Sequence, residues 1–316
     1  MKISIVIPVY NGESTIQSCL DSIIEQNYPE LEVLVVNDHS ADGTADIVQE
    51  YANLHDSVKV IVPNTKGVSG ARNAGILHAT GDVVGFCDAD DRYANGIFKR
   101  IANVFENNSE IRVVSCGYET HFVARGKDIM LYRGLVGKDK CWDASKLLDH
   151  VIWDRRILGS VSNKFFKKEL LEPVLFDETL HYFEDTNFVM RVIEQNPNVK
   201  ACIIPDVSFY YIQREDSATH DIDRLFHDNE RLQYNLAVEK ILADCSLSNR
   251  LIRVMKGFQC RLALEVMGQF SLDCKQKKVL QAEIKKTWMY YPFIMVRMPV
   301  ESIRLVAKAV INYFSK

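Results

Sequence analysis

The stretch Val83-Val84-Gly85-Phe86-Cys87-Asp88-Ala89-Asp90-Asp91 decides the fold class of this chain. Its apolar run is typical of a buried strand, and its polar end predicts that the strand stops at the edge of a sheet. Asp88, Asp90 and Asp91 repel one another unless a hard cation such as Mg²⁺ or Mn²⁺ lies between their carboxylates. A solvent-exposed acidic turn at the start of the next helix would explain the same residues.

Apolar strands alternate with amphipathic helices on both sides of this stretch. The strands are predicted at residues 2–9, 31–36, 58–62, 83–87 and 111–116. The alternation predicts an α/β fold with a doubly wound, mostly parallel sheet flanked by helices. Ligands bind outside the carboxyl ends of the strands in such sheets. Tyr10, Asp38, residues 64–66 and residues 88–91 are therefore expected to converge on one crevice.

The pattern changes after residue 117. A strand pair is predicted over residues 121–137, helices over 144–153 and from residue 184, and two short strands on either side of Pro205. From residue 222 onward the spacing is helical almost to residue 316. We therefore predict a domain at residues 1–220, divided at residue 117 into two halves, and a C-terminal helical region at residues 221–316.

Composition excludes several classes of protein. The net charge of −4 over 316 residues gives no general attraction to nucleic acid. The eight cysteines form no Cys-x-x-Cys pair, which argues against a zinc site and for the reduced thiols of a cytoplasmic protein. No signal peptide is evident, and no apolar run approaches the roughly 20 residues that a membrane span needs. A cytoplasmic protein is expected.

Two places near the predicted crevice carry candidate binding residues. Asp38 ends the second strand, where its carboxylate can accept a hydrogen bond from a nucleobase ring N–H or form an ordinary Asx-turn. Lys66, Gly67 and Arg72 join a flexible loop to the start of a helix. A helix amino terminus favours anions, and Arg72 could contact a diphosphate directly, although an exposed arginine beside an ordinary loop would look the same.

Glu184 and Asp185 begin a helix after an aromatic run. The helix dipole favours ionised carboxylates there, and a partly buried one can act as a general base; simple helix capping is the alternative. Arg214 and Ser217 follow a strand and, with Glu184, are candidate phosphate or acceptor contacts. A solvated loop would explain Arg214 and Ser217 equally well. The chain contains neither a dinucleotide-binding glycine motif nor a P-loop, and no hydrolase nucleophile elbow.

Five motifs in order resemble those of the family 2 glycosyltransferases, which have the GT-A fold. They are Ile5-Val6-Ile7-Pro8-Val9-Tyr10-Asn11-Gly12, Val35-Val36-Asn37-Asp38-His39-Ser40-Ala41-Asp42-Gly43-Thr44, Gly67-Val68-Ser69-Gly70-Ala71-Arg72-Asn73, Asp88-Ala89-Asp90 and Glu184-Asp185-Thr186-Asn187-Phe188. The resemblance covers about residues 1–220. Asn37 replaces the first aspartate of its motif, and the Gln-x-x-Arg-Trp motif of processive synthases is missing. The resemblance therefore implies transfer of one sugar per encounter.

The resemblance also implies a role for each motif. Residues 1–117 would bind a nucleotide sugar, a UDP-sugar, and residues 118–220 its glycan or lipid-linked acceptor. The implied donor-site residues are Pro8, Tyr10, Asn11, Glu13, Asp38, Lys66, Gly67, Arg72, Asp88, Ala89 and Asp90. Asp90, helped by Asp88 or Asp91, would hold Mn²⁺ or Mg²⁺ on the diphosphate. Asp185 would deprotonate the acceptor hydroxyl, with inversion at the sugar, in the synthesis of capsule, O-antigen or another bacterial surface polysaccharide.

The C-terminal region combines lysines at positions 275–286 with the aromatic stretch at 288–293 and a basic, apolar tail to residue 316. Such a segment can lie on an anionic membrane as a peripheral contact at the inner face. Packing on the catalytic domain, or on a second subunit of a homo-oligomer, would explain the same pattern.

Two other functions remain compatible with parts of the sequence. A nucleotidyltransferase also places acids at strand ends, but it normally has a basic glycine-rich loop after the first strand, where this chain has Tyr10-Asn11-Gly12-Glu13. A catalytically inactive glycan- or nucleotide-binding scaffold of the same fold is the second alternative. It has no need to keep Asp38, Asp90 and Asp185 together.

Overall fold

The computed structural model describes residues 1–124, 127–133, 137–153, 159–213, 226–227, 231–269, 272–295 and 306. Its central sheet begins with β1 (Ile3–Val9), all of whose residues are buried, as expected for an apolar strand covered on both faces. The strands that follow in this sheet are β2 (Leu31–Asn37), β3 (Val58–Ile61), β4 (Val83–Phe86), β5 (Arg92–Tyr93), β6 (Ile111–Ala124), β7 (Lys127–Arg133), β8 (Lys140–Asp143), β9 (Lys164–Lys167) and β10 (Lys200–Gln213).

Helices cover both faces of the sheet. They are α1 (Ile16–Ile24), α2 (Thr44–Leu54), α3 (Val68–His78), α4 (Ile97–Asn107), α5 (Ala144–Trp153) and α6 (Glu184–Glu194). Side chains of a strand alternate between faces, so Val6 belongs to the core formed with α3, α5 and α6, whereas Ile5 belongs to the core with α1, α2 and α4. Helix α3 lies so close to β1 that a Cβ on Gly75 would be 2.2 Å from Val6 Cγ1.

The strand order is β3-β2-β1-β4-β9-β6-β10-β5, with β7 added beside β6 and β8 beside β10. Strands β3, β2, β1 and β4 are mutually parallel, and β6 is parallel to β10. The predicted α/β class is confirmed. The sequence pattern did not reveal β9, which runs antiparallel to both β4 and β6 and joins the two parallel groups.

The prediction of two short strands around Pro205 is wrong. β10 is one strand that pairs with β6 along its length, with register shifts between Ile204 and Val207 and between Val207 and Phe209. Proline cannot donate to the hydrogen-bond ladder, and a bulge accommodates that loss without ending the strand.

The C-terminal region contains β11 (Phe226–His227), β12 (Arg231–Leu232), α7 (Gln233–Asp244), α8 (Asn249–Gln269), α9 (Cys274–Thr287), a 3-10 helix (Trp288–Tyr290) and α10 (Pro292–Met295). The predicted helical pattern from residue 222 is wrong at β11 and β12, which form an antiparallel pair. Val238 of α7 and Val254 of α8 share the core beneath α3, whereas Leu280 of α9 belongs to a separate core. The domain boundary at residue 220 stays a prediction. Among the described helices, none has both the length and the apolar character to cross a membrane.

Candidate functional site

The carboxyl ends of β1, β2 and β4 lie at one edge of the sheet because these strands are parallel neighbours. The residues that follow them are Tyr10, Asp38 and Asp88. The amino terminus of α3 reaches the same edge, where the backbone N–H of Gly67 donates to Asp38 Oδ2 at 2.7 Å. The crevice expected from the sequence pattern therefore gathers loops from three strands and one helix.

Only one of the two carboxylate oxygens of Asp38 accepts a hydrogen bond in the described structure. Gly67 has a φ of 102°, a conformation that favours glycine, and this turn directs its N–H to Asp38. The other carboxylate oxygen, Oδ1, is buried and accepts no hydrogen bond in the described structure. An unpaired buried acceptor costs free energy, so a ligand N–H that reached Oδ1 would gain more than one bound at an exposed acceptor.

The loop after β1 forms a wall of the crevice. Asn11 Oδ1 accepts a hydrogen bond from the Ala41 N–H at 2.9 Å, and Glu13 Oε2 accepts one from the Gly43 N–H at 3.1 Å. These bonds tie the loop to the loop after β2 and leave Tyr10 65% exposed. A fixed, exposed aromatic ring is suited to stacking on a planar ligand.

Two other predicted donor-site residues, Pro8 and Lys66, lie outside this loop. Pro8 is buried inside β1, and Lys66 is exposed just before Gly67. Pro8 therefore belongs to the sheet, whereas Lys66 is positioned where its charge is accessible to an anion.

Arg72 on α3 is the centre of the charged part of the site. It is only 3% exposed. Its Nη2 lies 2.9 Å from Asp88 Oδ1, and its Nη1 lies 2.9 Å from Glu184 Oε1 and 2.7 Å from Asp185 Oδ1. Burial alone would lower the pKa of the guanidinium, but the three carboxylates raise it, so Arg72 stays charged.

The terminal nitrogens of Arg72 thus face carboxylates rather than open space. The sequence suggested instead a direct contact between Arg72 and a diphosphate. The arrangement assigns Arg72 the role of joining the residue after β4 to the start of α6. The guanidinium also lies over the Phe176 ring, 5.4 Å from its centroid, and Phe176 stacks on Phe188 of α6 at 3.9 Å. Its position is therefore fixed by packing as well as by charge.

Asp185 sits in the first turn of α6, after Phe183 at a φ of 62°. Its Oδ2 accepts hydrogen bonds from Ser160 Oγ at 2.9 Å and the Val161 N–H at 3.3 Å. Burial raises the pKa of Asp185 to about 7, against the lowering effect of Arg72, and the charges of Glu184 and Asp88 raise it further. A carboxylate with a pKa near neutrality has the proton affinity required of a general base.

The loop before β9 and the first residue of that strand were not identified from the sequence as functional. Ser160 holds Asp185, and Ser162 Oγ donates to Asp88 Oδ2 at 3.2 Å, so the loop bridges both carboxylates. Lys164 is fully buried beneath it and donates to Ser160 O at 2.7 Å. Burial lowers the pKa of the Lys164 ammonium to about 7, while the Asp185 carboxylate raises it. The only local sequence signal is that Lys164 directly precedes Phe165 and Phe166.

The aspartates that follow β4 lie in two different environments. Asp88, Ala89 and Asp90 are partly exposed at the crevice. Asp91 is fully buried, and its Oδ1 accepts a hydrogen bond from the Ile212 N–H at 2.8 Å. Burial, with the charges of Asp90 and Asp88, raises the pKa of Asp91 well above its usual range. Asp91 as a metal ligand stays a prediction, and one of its carboxylate oxygens is already engaged with β10.

No group of three or more His, Cys, Asp or Glu side chains in the described ranges could hold a metal ion by itself. Mg²⁺ and related cations usually take one or two protein carboxylates and complete their shell with substrate phosphates and water. The partly exposed carboxylates of Asp88 and Asp90 fit that kind of shared site.

Some predicted contacts lie elsewhere. Arg214 and Ser217 are outside the described residues, as are the side chain of Trp153 and the chain from residue 296 apart from Val306. Trp142 is 5% exposed and packs in the core. Tyr182 and Phe183 pack against the core of the C-terminal helices.

Comparison with known proteins places these residues in a family context. The family model described as "Glycosyl transferase family 2" matches residues 4–174. The "uncharacterized glycosyltransferase EpsJ" of Bacillus subtilis is 29% identical over 226 residues, which cover 69% of this chain and 62% of that protein. The "poly(ribitol-phosphate) beta-N-acetylglucosaminyltransferase TarS" of Staphylococcus aureus is 29% identical over 258 residues, covering 77% of this chain and 41% of TarS. The matched region is thus under two thirds of either relative.

Solved structures show the same fold. The crystal structure of residues 1–349 of S. aureus TarS with UDP-GlcNAc superposes with a TM-score of 0.73 at 20% identity, covering 99% of this chain and 89% of that chain. The mannosyltransferase PcManGT of Pyrobaculum calidifontis, solved with GDP-Man and Mn²⁺, superposes with a TM-score of 0.54 at 21% identity, covering all of this chain and 88% of that one. These likenesses establish the fold of the described chain.

Proposed function

This chain belongs to glycosyl transferase family 2, and we propose that it transfers one sugar from a UDP-sugar to a hydroxyl group of a glycan or lipid-linked acceptor. The observation that carries the proposal is the cluster around Arg72. One guanidinium contacts both Asp88, beside the donor crevice, and Asp185, the carboxylate suited to be the base. The donor side and the acceptor side of a displacement reaction are thereby held at a fixed separation.

Asp38 and Tyr10 would hold the nucleotide. The unpaired Oδ1 of Asp38 would accept the ring N3–H of uracil, and the exposed Tyr10 ring would cover the base. The TarS complex with UDP-GlcNAc supports a uridine nucleotide as donor for a chain of this fold. The identity of the transferred sugar would depend on residues outside this contact.

A divalent cation, Mn²⁺ or Mg²⁺, would be held by Asp90 and Asp88 together with the donor diphosphate. When bound, it would neutralise the negative charge that develops on the leaving nucleoside diphosphate. The Mn²⁺ present with PcManGT supports this type of cofactor for the fold. Ser162 would keep Asp88 oriented toward the crevice through its hydrogen bond.

Asp185 would accept the proton of the acceptor hydroxyl as that oxygen attacks the anomeric carbon. The side chain is oriented by Ser160 and Val161 and is 15% exposed, so an acceptor hydroxyl can reach it. Direct attack by this oxygen on the face opposite the departing UDP would invert the anomeric centre, as the family resemblance implies. We propose that the acceptor belongs to bacterial surface-polysaccharide synthesis, the poly(ribitol-phosphate) in the name of TarS being one example of an acceptor polymer. All eight cysteines are free thiols, which suits the cytoplasm.

Calorimetric binding of UDP and CDP tests the donor assignment. We expect UDP to bind more tightly than CDP, because cytosine has no N3–H to donate to Asp38. We expect Asp38→Asn to weaken UDP binding by roughly 10- to 100-fold, since a hydrogen bond to a charged acceptor contributes about 1.5–3 kcal/mol. Asp90→Asn should remove the dependence of UDP binding on Mn²⁺.

Asp56→Asn is the matched control, because this exposed aspartate precedes β3 at the opposite edge of the sheet. It should leave both affinities unchanged. Equal affinity of the wild type for UDP and CDP would contradict the role of Asp38. A chain that binds UDP but transfers no sugar would support the inactive scaffold instead.

The pH profile of UDP release tests the base. Because Asp185 accepts a proton only when ionised, kcat/KM should rise with pH through about 7, the pKa to which burial raises this carboxyl. Below that pH the rate should fall roughly tenfold per pH unit. Initial rates of UDP release from a UDP-sugar between acidic and alkaline pH give the profile.

The pH profile of kcat/KM also shows whether Lys164 acts on Asp185 through its charge or only supports the loop before β9. Lys164→Met removes a positive charge that interacts with Asp185, so the pKa of Asp185 should rise and the acidic limb should move to higher pH. If the variant had a lower rate but its kcat/KM declined over the same acidic pH range as the wild type, Lys164 would only support the loop before β9.

A further inference from the structure

The C-terminal helices carry a strongly basic surface in a protein whose net charge is −4. Helix α9, CKQKKVLQAEIKKT, contains five lysines and one acidic residue, Glu283, which is only 9% exposed. Lys285 and Lys286 are exposed in its last turn. The positive charge is therefore concentrated on the solvent face of this helix.

Large apolar side chains are exposed immediately beyond these lysines. Trp288 is 49% exposed and Met289 is 70% exposed. The core is filled instead by Tyr291, which is 1% exposed. Its ring stacks on that of Trp288, with 5.3 Å between the ring centroids. Tryptophan at the edge of a basic surface is typical of segments that enter the headgroup region of a bilayer.

Helix α8 adds two cations to the same surface. Lys256 Nζ lies 5.0 Å from the centroid of the Tyr290 ring, and Arg253 lies 5.6 Å from that of Phe293. These contacts bring the cations of α8 beside the exposed residues that follow α9. We name the group Arg253, Lys256, Lys285, Lys286, Trp288 and Met289 the basic surface.

We propose that the basic surface docks this protein on an anionic lipid bilayer. Phosphate headgroups would pair with the lysines and arginine, and Trp288 and Met289 would enter the interfacial layer. A soluble polyanion would match the charges but would leave these two apolar side chains in water, so the bilayer accounts for more of the surface.

The position of α8 connects this surface with the site. Phe258 of the same helix contacts Phe183 at 5.9 Å between ring centroids, and Phe183 directly precedes Glu184 and Asp185. Docking would therefore orient the crevice relative to the bilayer. That a lipid-linked acceptor profits from this orientation rests on the proposed function, whereas bilayer binding does not.

Vesicle flotation tests the proposal without any sugar donor. The full chain should float with vesicles containing phosphatidylglycerol and remain in solution with pure phosphatidylcholine vesicles. Added salt should weaken the binding. Lys285→Ala with Lys286→Ala should reduce the partition coefficient by roughly 30-fold, which corresponds to about 1 kcal/mol for each basic residue. Trp288→Ala with Met289→Ala should make the remaining binding fully sensitive to salt.

Lys99→Ala with Lys140→Ala is the matched control, since both lysines are exposed on elements outside the C-terminal helices. It should float like the wild type. Absence of flotation at any salt concentration, or equal loss in the control, would overturn the proposal. If Lys285→Ala with Lys286→Ala lost binding to soluble polyphosphate but floated like the wild type, the surface would be assigned to a polyanion instead. UDP affinity measured on each variant shows whether the donor site is intact, so the two proposals fail separately.

Discussion

Replacement of Asp185 by asparagine is expected to lower the rate of sugar transfer by roughly 10²- to 10⁴-fold, the usual contribution of a positioned general base. Asparagine has nearly the same shape and can still accept from Ser160, so the surrounding structure should persist. It cannot accept the acceptor proton at neutral pH. UDP affinity should stay within a few-fold of the wild type, because Asp185 belongs to α6 and not to the loops that follow β1 and β2.

Glu184→Gln provides a matched comparison on the neighbouring carboxylate. The charge of Glu184 raises the pKa of Asp185, so its removal should move the acidic limb of kcat/KM below about 7 while the limb itself persists. In Asp185→Asn the residual kcat/KM should no longer show this decline at acidic pH. Near-normal turnover in Asp185→Asn would show that another group takes the proton.

Replacement of Arg72 by methionine is expected to destabilise the fold by about 3–5 kcal/mol, as when one partner of a buried ionic cluster is removed. Asp88, Glu184 and Asp185 would then face one another without their shared cation. The pKa of Asp185 should rise further, because Arg72 now lowers it. Transfer at neutral pH should be lost as well. Urea unfolding monitored by circular dichroism measures the free energy of unfolding.

The pH dependence separates this effect from simple loss of packing. Without Arg72 the folded state binds a proton more tightly at Asp185 than the unfolded chain does, so the stability contributed by protonated Asp185 is present at low pH and declines as pH rises. The deficit relative to the wild type should therefore shrink from neutral pH toward acidic pH. A constant deficit would indicate packing against Phe176 alone.

Arg250→Met is the control for loss of an exposed ion pair. Arg250 is 72% exposed and lies 3.2 Å from Asp149. The expected change in unfolding free energy is below about 1 kcal/mol, because water screens such pairs. If Arg72→Met proved no more costly than this control, the central position given to Arg72 would be wrong.

The sequence was most informative where a local pattern has one structural solution. Apolar runs that end in polar residues predicted β1, β2 and β4 and the edge at which their ligand-facing residues meet. It was least informative for β9 and for β10 at Pro205. The apolar pair Phe165-Phe166 is too short to have a periodicity that distinguishes a strand from the start of a helix. A bulge is visible only when the partner strand is known.

The sequence alone determined the α/β class, the family and the presence of Asp38, Asp88 and Asp90 near one sheet edge, because strand polarity and motif order are properties of the chain. Only the tertiary structure decided what these residues contact. Arg72 meets Glu184 across 112 positions of sequence, and Asp91 Oδ1 accepts a hydrogen bond from Ile212 of β10. Burial, which sets the pKa values of Asp185 and Lys164, comes from elements packed together from distant parts of the chain, and no local pattern specifies it.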